Sequence, residues 1–236
     1  MAIKIFLDGA DRESMLQMAK DSKVHGFTTN PSLMRKAGVK DYRAYCQEIM
    51  PKLGGKPVSF EVFADDLPTM MKQAKEIATW EKPGDQLYVK IPVTNSEGVS
   101  CAPMIRELTL KGVKLNVTAV FTLAQSWEVC QVLKGGAPSI LSIFAGRIAD
   151  TGRDPLPIMQ AALSMCRETD RKIELLWAST REALNVVQAE QMGCDIITAP
   201  GDVIKKVAGF GKDLTAMSLD TVRTFKADSE AAGFHL

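Results

Sequence analysis

Three side chains in this sequence could run carbonyl chemistry without a metal: Lys90, Asp8 and Glu61. Lys90 sits within Leu87-Tyr88-Val89-Lys90-Ile91-Pro92-Val93. Strand alternation sets Tyr88, Lys90 and Pro92 on one face and Val89 and Ile91 on the other. With Val89 and Ile91 packed under helices, Lys90 points inward, where burial disfavours an ammonium. A neutral amine is the nucleophile that Schiff-base chemistry requires. The alternative is a structural ion pair with Asp8 or Glu61, although desolvation offsets much of the attraction in such a pair. Asp8 and Glu61 are two carboxylates near one mouth, able to divide acid and base work if their environments separate their pKa values. Asp8 could equally cap the helix that begins near Asp11. The two histidines, His25 and His235, form no HxH or HxxxH, which argues against a zinc aldolase or a Ser-His-Asp hydrolase.

Other polar residues recur where short β-branched runs end. Thr28, Thr29 and Asn30 precede Pro31, and Asn116 and Thr118 follow one another on a later run. Ser142 leads to Arg147, and Ser179 to Arg181. Guanidinium groups grip phosphate oxygens in a bidentate fork, and Ser179 adds a hydroxyl donor. A lone loop arginine is ordinarily a solvated charge. Arg147 and Arg181 on adjacent units favour the phosphate reading. Thr28–Pro31 taken alone reads as a turn entering a helix.

Holding these residues together requires a particular scaffold. Strand candidates are Ile3–Asp8, Gly26–Thr29, Val58–Phe63, Gln86–Pro92, Val113–Thr118, Ser139–Phe144, Lys172–Ala178 and Asp195–Ala199. Helical stretches such as Leu67–Trp80, Thr122–Lys134, Pro155–Glu168 and Arg181–Gln191 lie between them. Gly112 and Gly193 suit helix ends. Strands alternating with helices pair in parallel through crossovers. Eight such units in 236 residues favour a closed (β/α)8 TIM barrel of the α/β class over a flavodoxin-like open sheet. The strands' C-terminal ends would then form one polar rim. The barrel is expected over residues 1–213. Residues 214–236 follow, with Leu219, Val222 and Phe225 spaced three apart, as an extra helix covering the barrel or a neighbouring subunit.

Composition narrows the function. The 29 basic and 28 acidic residues give a net charge of +1, which disfavours a nucleic-acid or membrane-surface partner. No apolar run approaches the ~20 residues of a membrane span. The opening meets an aspartate within eight residues and is not read as a secretory signal. The five cysteines are scattered without CxxC, which fits reduced packing thiols in a cytoplasmic protein.

The segments FLDGA, GFTTNPSL, SFEVFAD, YVKIPVT, LNVTAVFTLAQ, SIFAGRI and ASTRE resemble the small, short-chain transaldolases related to fructose-6-phosphate aldolase. The resemblance implies that Lys90 forms an imine with a ketose carbonyl and that Asp8 takes the hydroxyl proton as the carbon–carbon bond breaks. It implies that Glu61 and Thr118 hold a water that relays protons. Asn30, Asn116 and Ser142, with Thr29 beside them, would bind the dihydroxyacetone part. Arg147, Ser179 and Arg181 would grip a phosphate, and neither metal nor cofactor would be needed. Related aldolases carry Gln and Tyr where this chain has Glu61 and Phe144, so both positions look like the transferring kind. The resemblance also implies sugar-phosphate substrates and a ring-based homo-oligomer, often a decamer. Gly9, Ile143 and Thr180 depart from the family pattern. The usual pair, fructose 6-phosphate and erythrose 4-phosphate, is therefore an expectation. Simple aldol cleavage, a pathway-specific or sulfonated sugar, and sugar-phosphate binding without turnover are the alternatives.

Overall fold

A computed structural model describes residues 3–235. The outermost residues of the two expected segments, Met1, Ala2 and Leu236, lie outside the described residues. Eight parallel strands close into a barrel in sequence order: β1 Lys4–Asp8, β2 Val24–Thr28, β3 Val58–Glu61, β4 Leu87–Pro92, β5 Leu115–Val120, β6 Ser139–Ile143, β7 Ile173–Trp177 and β8 Ile196–Ala199. β1 closes the ring by pairing with both β2 and β8. The open-sheet alternative is thereby excluded.

The pleat separates two cores. Outward-facing residues such as Val89, Ile91, Val117, Leu141 and Trp177 pack under the helices in the main apolar layer. A second, smaller cluster of Phe6, Ile140, Leu176, Ala178 and Ile196 is distinct from it. These side chains alternate with the outward set and so fill the inside of the barrel. Gly26 is required there. A Cβ on it would meet the Phe6 ring at 2.6 Å, closer than packed carbons approach.

Local chemistry explains where the elements begin and end. Asp11, not Asp8, caps the first helix, accepting from the Ser14 amide at 2.8 Å. This removes the capping alternative for Asp8. β5 starts at Leu115, two residues later than expected. The helix Ala102–Leu110 ends through Gly112, with φ +85°, and Val113 N–H is used on Leu108 O at 3.1 Å, a helix-terminating bond. Helix Leu184–Gln191 starts three residues later than expected, because the Asn185 side chain accepts from the Arg181 and Glu182 amides. The helices Leu67–Ala78, Leu123–Leu133 and Leu156–Thr169 fall where expected, within a residue or two at their ends.

The last helix, Leu214–Ala232, has none of its residues buried. Leu214, Met217, Val222 and Phe225 are all exposed, Leu214 to 82%. All five cysteines are free and buried. No helix among the described residues is long and apolar enough to cross a membrane.

Candidate active site

Register brings the ionisable groups together. Glu61 on β3 is the Cα partner of Lys90 on β4, and Lys90 is in turn the partner of Asn116 on β5. Asp8 on β1 is paired with Thr28 on β2. Because these positions share the inward face of adjacent strands, their side chains converge at the C-terminal mouth.

Lys90 is 6% exposed. Its Nζ donates to the Thr29 carbonyl at 2.9 Å and lies 3.2 Å from Glu61 Oε2. The ion pair weighed from the sequence is therefore present, with Glu61 as partner. Tyr42 fixes the backbone beside it, its hydroxyl donating to Glu61 O at 2.8 Å. Asp8 accepts from Thr28 Oγ1 at 2.8 Å. One edge of Asp8 faces the cavity, but protein surrounds its carboxylate. Burial pushes its pKa above the ordinary 3.8, while the Lys90 charge and the Thr28 hydrogen bond pull it partway back.

Asp8, Thr28 and Lys90 line a cavity of about 180 Å³. Asp8, Lys90, Asn30, Thr118 and Ser142 reach it from the strand ends, Phe144 and Arg147 from the start of the helix after β6, and Ser179 and Arg181 from the loop beyond β7. Three other expected residues stand behind its wall. Glu61 is held by Lys90. Thr29 spends its hydroxyl on Ser59 O at 2.9 Å. Asn116 bridges Ser59 Oγ at 3.0 Å and accepts from Ser142 Oγ at 2.6 Å. Asn30 plays two parts. It caps the helix Pro31–Lys36 through the Leu33 amide and also lines the cavity. A larger groove of about 490 Å³ lies on the outer surface near Tyr42, Phe63 and Trp80. Its charged residues are all exposed, so it has no buried amine or carboxylate to do chemistry.

Two features single out the rim. Among the described residues Thr118 Oγ1 is buried without a hydrogen-bond partner, which native interiors seldom tolerate unless something else is to be bound. It precedes Ala119, whose φ is +59°, at the register break between β5 and β6. Ser179 has φ +64°. These are the two non-glycine left-handed residues among those described, and such strain concentrates at functional sites. Gly146 lets the Ser179 loop close over the helix Ala145–Asp150. A Cβ there would fall 1.6 Å from Ser179 O.

The two arginines differ. Arg147 is exposed and stacks over the Phe144 ring at 5.1 Å. Arg181 forms a two-point pair with Asp150, at 3.1 Å from Nε and 2.5 Å from Nη2. An incoming phosphate must compete with that carboxylate.

Sequence reading missed several wall residues: Leu176, Ala178, Pro200 and Thr198. Alternation along β8 could have found Thr198, since it shares the inward face with Ile196. Thr180 also lines the cavity, but its hydroxyl is spent on Thr198 O at 2.7 Å.

Comparison with known proteins gives a consistent result. The family model described as Transaldolase/Fructose-6-phosphate aldolase matches residues 5–236. A "Probable transaldolase" of Dehalococcoides mccartyi is 36% identical over 205 residues, covering 87% of this chain and 90% of that protein. One from Methanococcus maripaludis is 35% identical over 229 residues, covering 97% and 98%. Another from a Thermoanaerobacter species is 32% identical over 234 residues, covering 99% and 100%.

Proposed function

Because the chain belongs to the transaldolase/fructose-6-phosphate aldolase family, we propose that it is a Schiff-base transaldolase moving a dihydroxyacetone unit from a ketose phosphate to an aldose phosphate. The observation that carries this reading is a buried amine opening on a cavity beside two carboxylates and one unsatisfied hydroxyl.

Glu61, at 3.2 Å from Nζ, accepts the proton that the ammonium must lose. The free amine attacks the ketose carbonyl, and the carbinolamine expels water to leave an imine. A water between Glu61 and the Thr118 hydroxyl carries protons in both directions of this step. Asp8 removes the proton of the hydroxyl on the far carbon of the bond that breaks, the carbon that leaves as the aldehyde. The bonding electron pair flows into the imine, giving an enamine and releasing an aldose phosphate. Burial makes Asp8 a stronger base than a solvated carboxylate. The enamine then attacks the acceptor aldehyde, Asp8 returns its proton to the new alkoxide, and water hydrolyses the imine. Asn30 and Ser142 bind the hydroxyls of the three-carbon unit. Arg147, Ser179 and Arg181 bind the phosphate.

Phe144 favours transfer over simple aldol cleavage. It lies between Phe121 and Arg147 and has no hydroxyl to protonate the enamine carbon, so the enamine waits for an aldehyde. Fructose 6-phosphate supplied with and without erythrose 4-phosphate tests this. The expected result is release of glyceraldehyde 3-phosphate that depends on the acceptor. Acceptor-independent turnover at a comparable rate would make it an aldolase instead.

The helix Leu214–Ala232 supports a homo-oligomeric enzyme, since its apolar residues Leu214, Met217, Val222 and Phe225 are exposed. Light scattering with and without residues 215–236 tests this, and an unchanged mass after truncation would contradict it.

A further inference from the structure

Thr198 lies on β8, 3% exposed and at the edge of the same cavity. Its Oγ1 is 2.5 Å from Thr28 Oγ1, which in turn is 2.8 Å from Asp8 Oδ1. The proton directions in this chain are fixed by counting. A threonine hydroxyl has one hydrogen to give. Asp8 as a carboxylate can only accept, so Thr28 gives its hydrogen to Asp8. The short contact between the two threonines then has one donor left, Thr198. The chain runs Thr198 to Thr28 to Asp8, every hydrogen pointing toward the carboxylate.

We propose that Thr198 is a positioning residue for the reaction, acting through Thr28 to hold the Asp8 carboxylate in place and in its ionised form. The inference deepens the Schiff-base reading and rests on it. A hydroxyl that accepts a hydrogen bond becomes a better donor, so Thr198 strengthens the bond that Thr28 makes to Asp8. Oδ1 is thereby occupied, which leaves the second carboxylate oxygen to face the substrate hydroxyl. When Asp8 takes up its proton the demand on Thr28 falls, and Thr198 has a fallback acceptor in the Phe6 carbonyl at 3.5 Å. The chain therefore accommodates both protonation states of Asp8 without leaving a buried hydroxyl unpaired.

The test compares Thr198→Val with Thr198→Ser. Valine keeps the shape and loses the hydroxyl, whereas serine keeps the hydroxyl. For the valine variant kcat should fall roughly tenfold with KM within about twofold. The acid limb of its kcat profile should move to higher pH, since Asp8 loses support for its charged form. Serine should restore both to near the wild-type values. A wild-type kcat and unmoved acid limb in the valine variant would overturn the proposal. So would a serine variant as impaired as the valine one, because shape rather than the hydroxyl would then matter. If valine prevents folding, Thr198→Ala against Thr198→Ser carries the same contrast. Borohydride trapping with fructose 6-phosphate separates this idea from its parent. An adduct on Lys90 in both wild type and variant, with slowed turnover in the variant, supports it. An adduct with unaltered turnover sinks the Thr198 role alone, and no adduct in the wild type removes the imine reading and this proposal together.

Discussion

The inside of this barrel has two walls of opposite character. On one, Thr28, Ser59, Glu61, Lys90, Asn116, Thr118 and Ser142 project from consecutive strands β2 to β6, and nearly all are bound to one another or to backbone. On the other, Phe6, Ile140, Leu176, Ala178 and Ile196 form a closed apolar cluster on β1 and β6 to β8. Both walls are buried, and only the first has chemistry to offer. The apolar wall acts on the polar one by excluding water. Asp8 stands where the two meet, and desolvation is the largest influence on its carboxyl. The difference shows how a barrel can keep an amine and two carboxylates in its mouth. It satisfies them internally, leaves one hydroxyl, Thr118, unpaired, and borrows stability from the apolar side.

Substitutions on the two walls should therefore fail in different ways. Asp8→Asn should lower kcat by roughly 10²–10⁴-fold, the range for losing a general base. Its stability should move the other way at pH 7. The folded pKa of Asp8 is raised, so the folded state holds more protons between the ordinary value and the raised one. Stability therefore falls as pH rises through that window, and at pH 7 the full cost is present. Asparagine removes that cost, for a gain of about 1 kcal/mol that shrinks toward pH 4. Melts of both proteins at the two pH values check this, and a less stable variant at pH 7 would break the contrast.

Gly26→Ala probes the apolar wall. The added methyl meets the Phe6 ring at 2.6 Å and should cost about 1–3 kcal/mol. Urea unfolding should report it, while kcat of the folded fraction stays within about threefold. A large kcat loss without loss of stability would show that the walls are not separable. The smallest effect on stability is expected from Thr118→Val, which removes a hydroxyl without a partner among the described residues. Stability should hold or rise slightly, and kcat should fall roughly tenfold through slower proton relay. An unchanged kcat would mean that Thr118 holds no water used in turnover.

Much of this was legible in the sequence, for identifiable reasons. Strand alternation turned Lys90 inward, and the same rule carried Asp8 and Glu61 to the same mouth. What alternation cannot supply is register between strands. That Glu61 pairs with Lys90 while Asp8 pairs with Thr28 depends on pairing offsets set by turns and caps. Thr198 was missed because threonine in a strand is ordinary until a neighbour 170 residues away gives its hydroxyl a partner. The pairing of Arg181 with Asp150 arises from the close approach at Gly146, which leaves no mark on local spacing. Strand and helix ends shifted where a cap consumed the next amides, as at Val113 and Asn185.

The claim beneath all of this is that Lys90 bonds covalently to a ketose. Borohydride reduction in the presence of fructose 6-phosphate, followed by peptide mass mapping, addresses it directly. One added reduced sugar or three-carbon unit is expected on the peptide carrying Lys90, and none in Lys90→Met. A protein that turns over sugar phosphate yet yields no adduct, or carries it on a different lysine, would exclude Lys90 as the imine-forming residue.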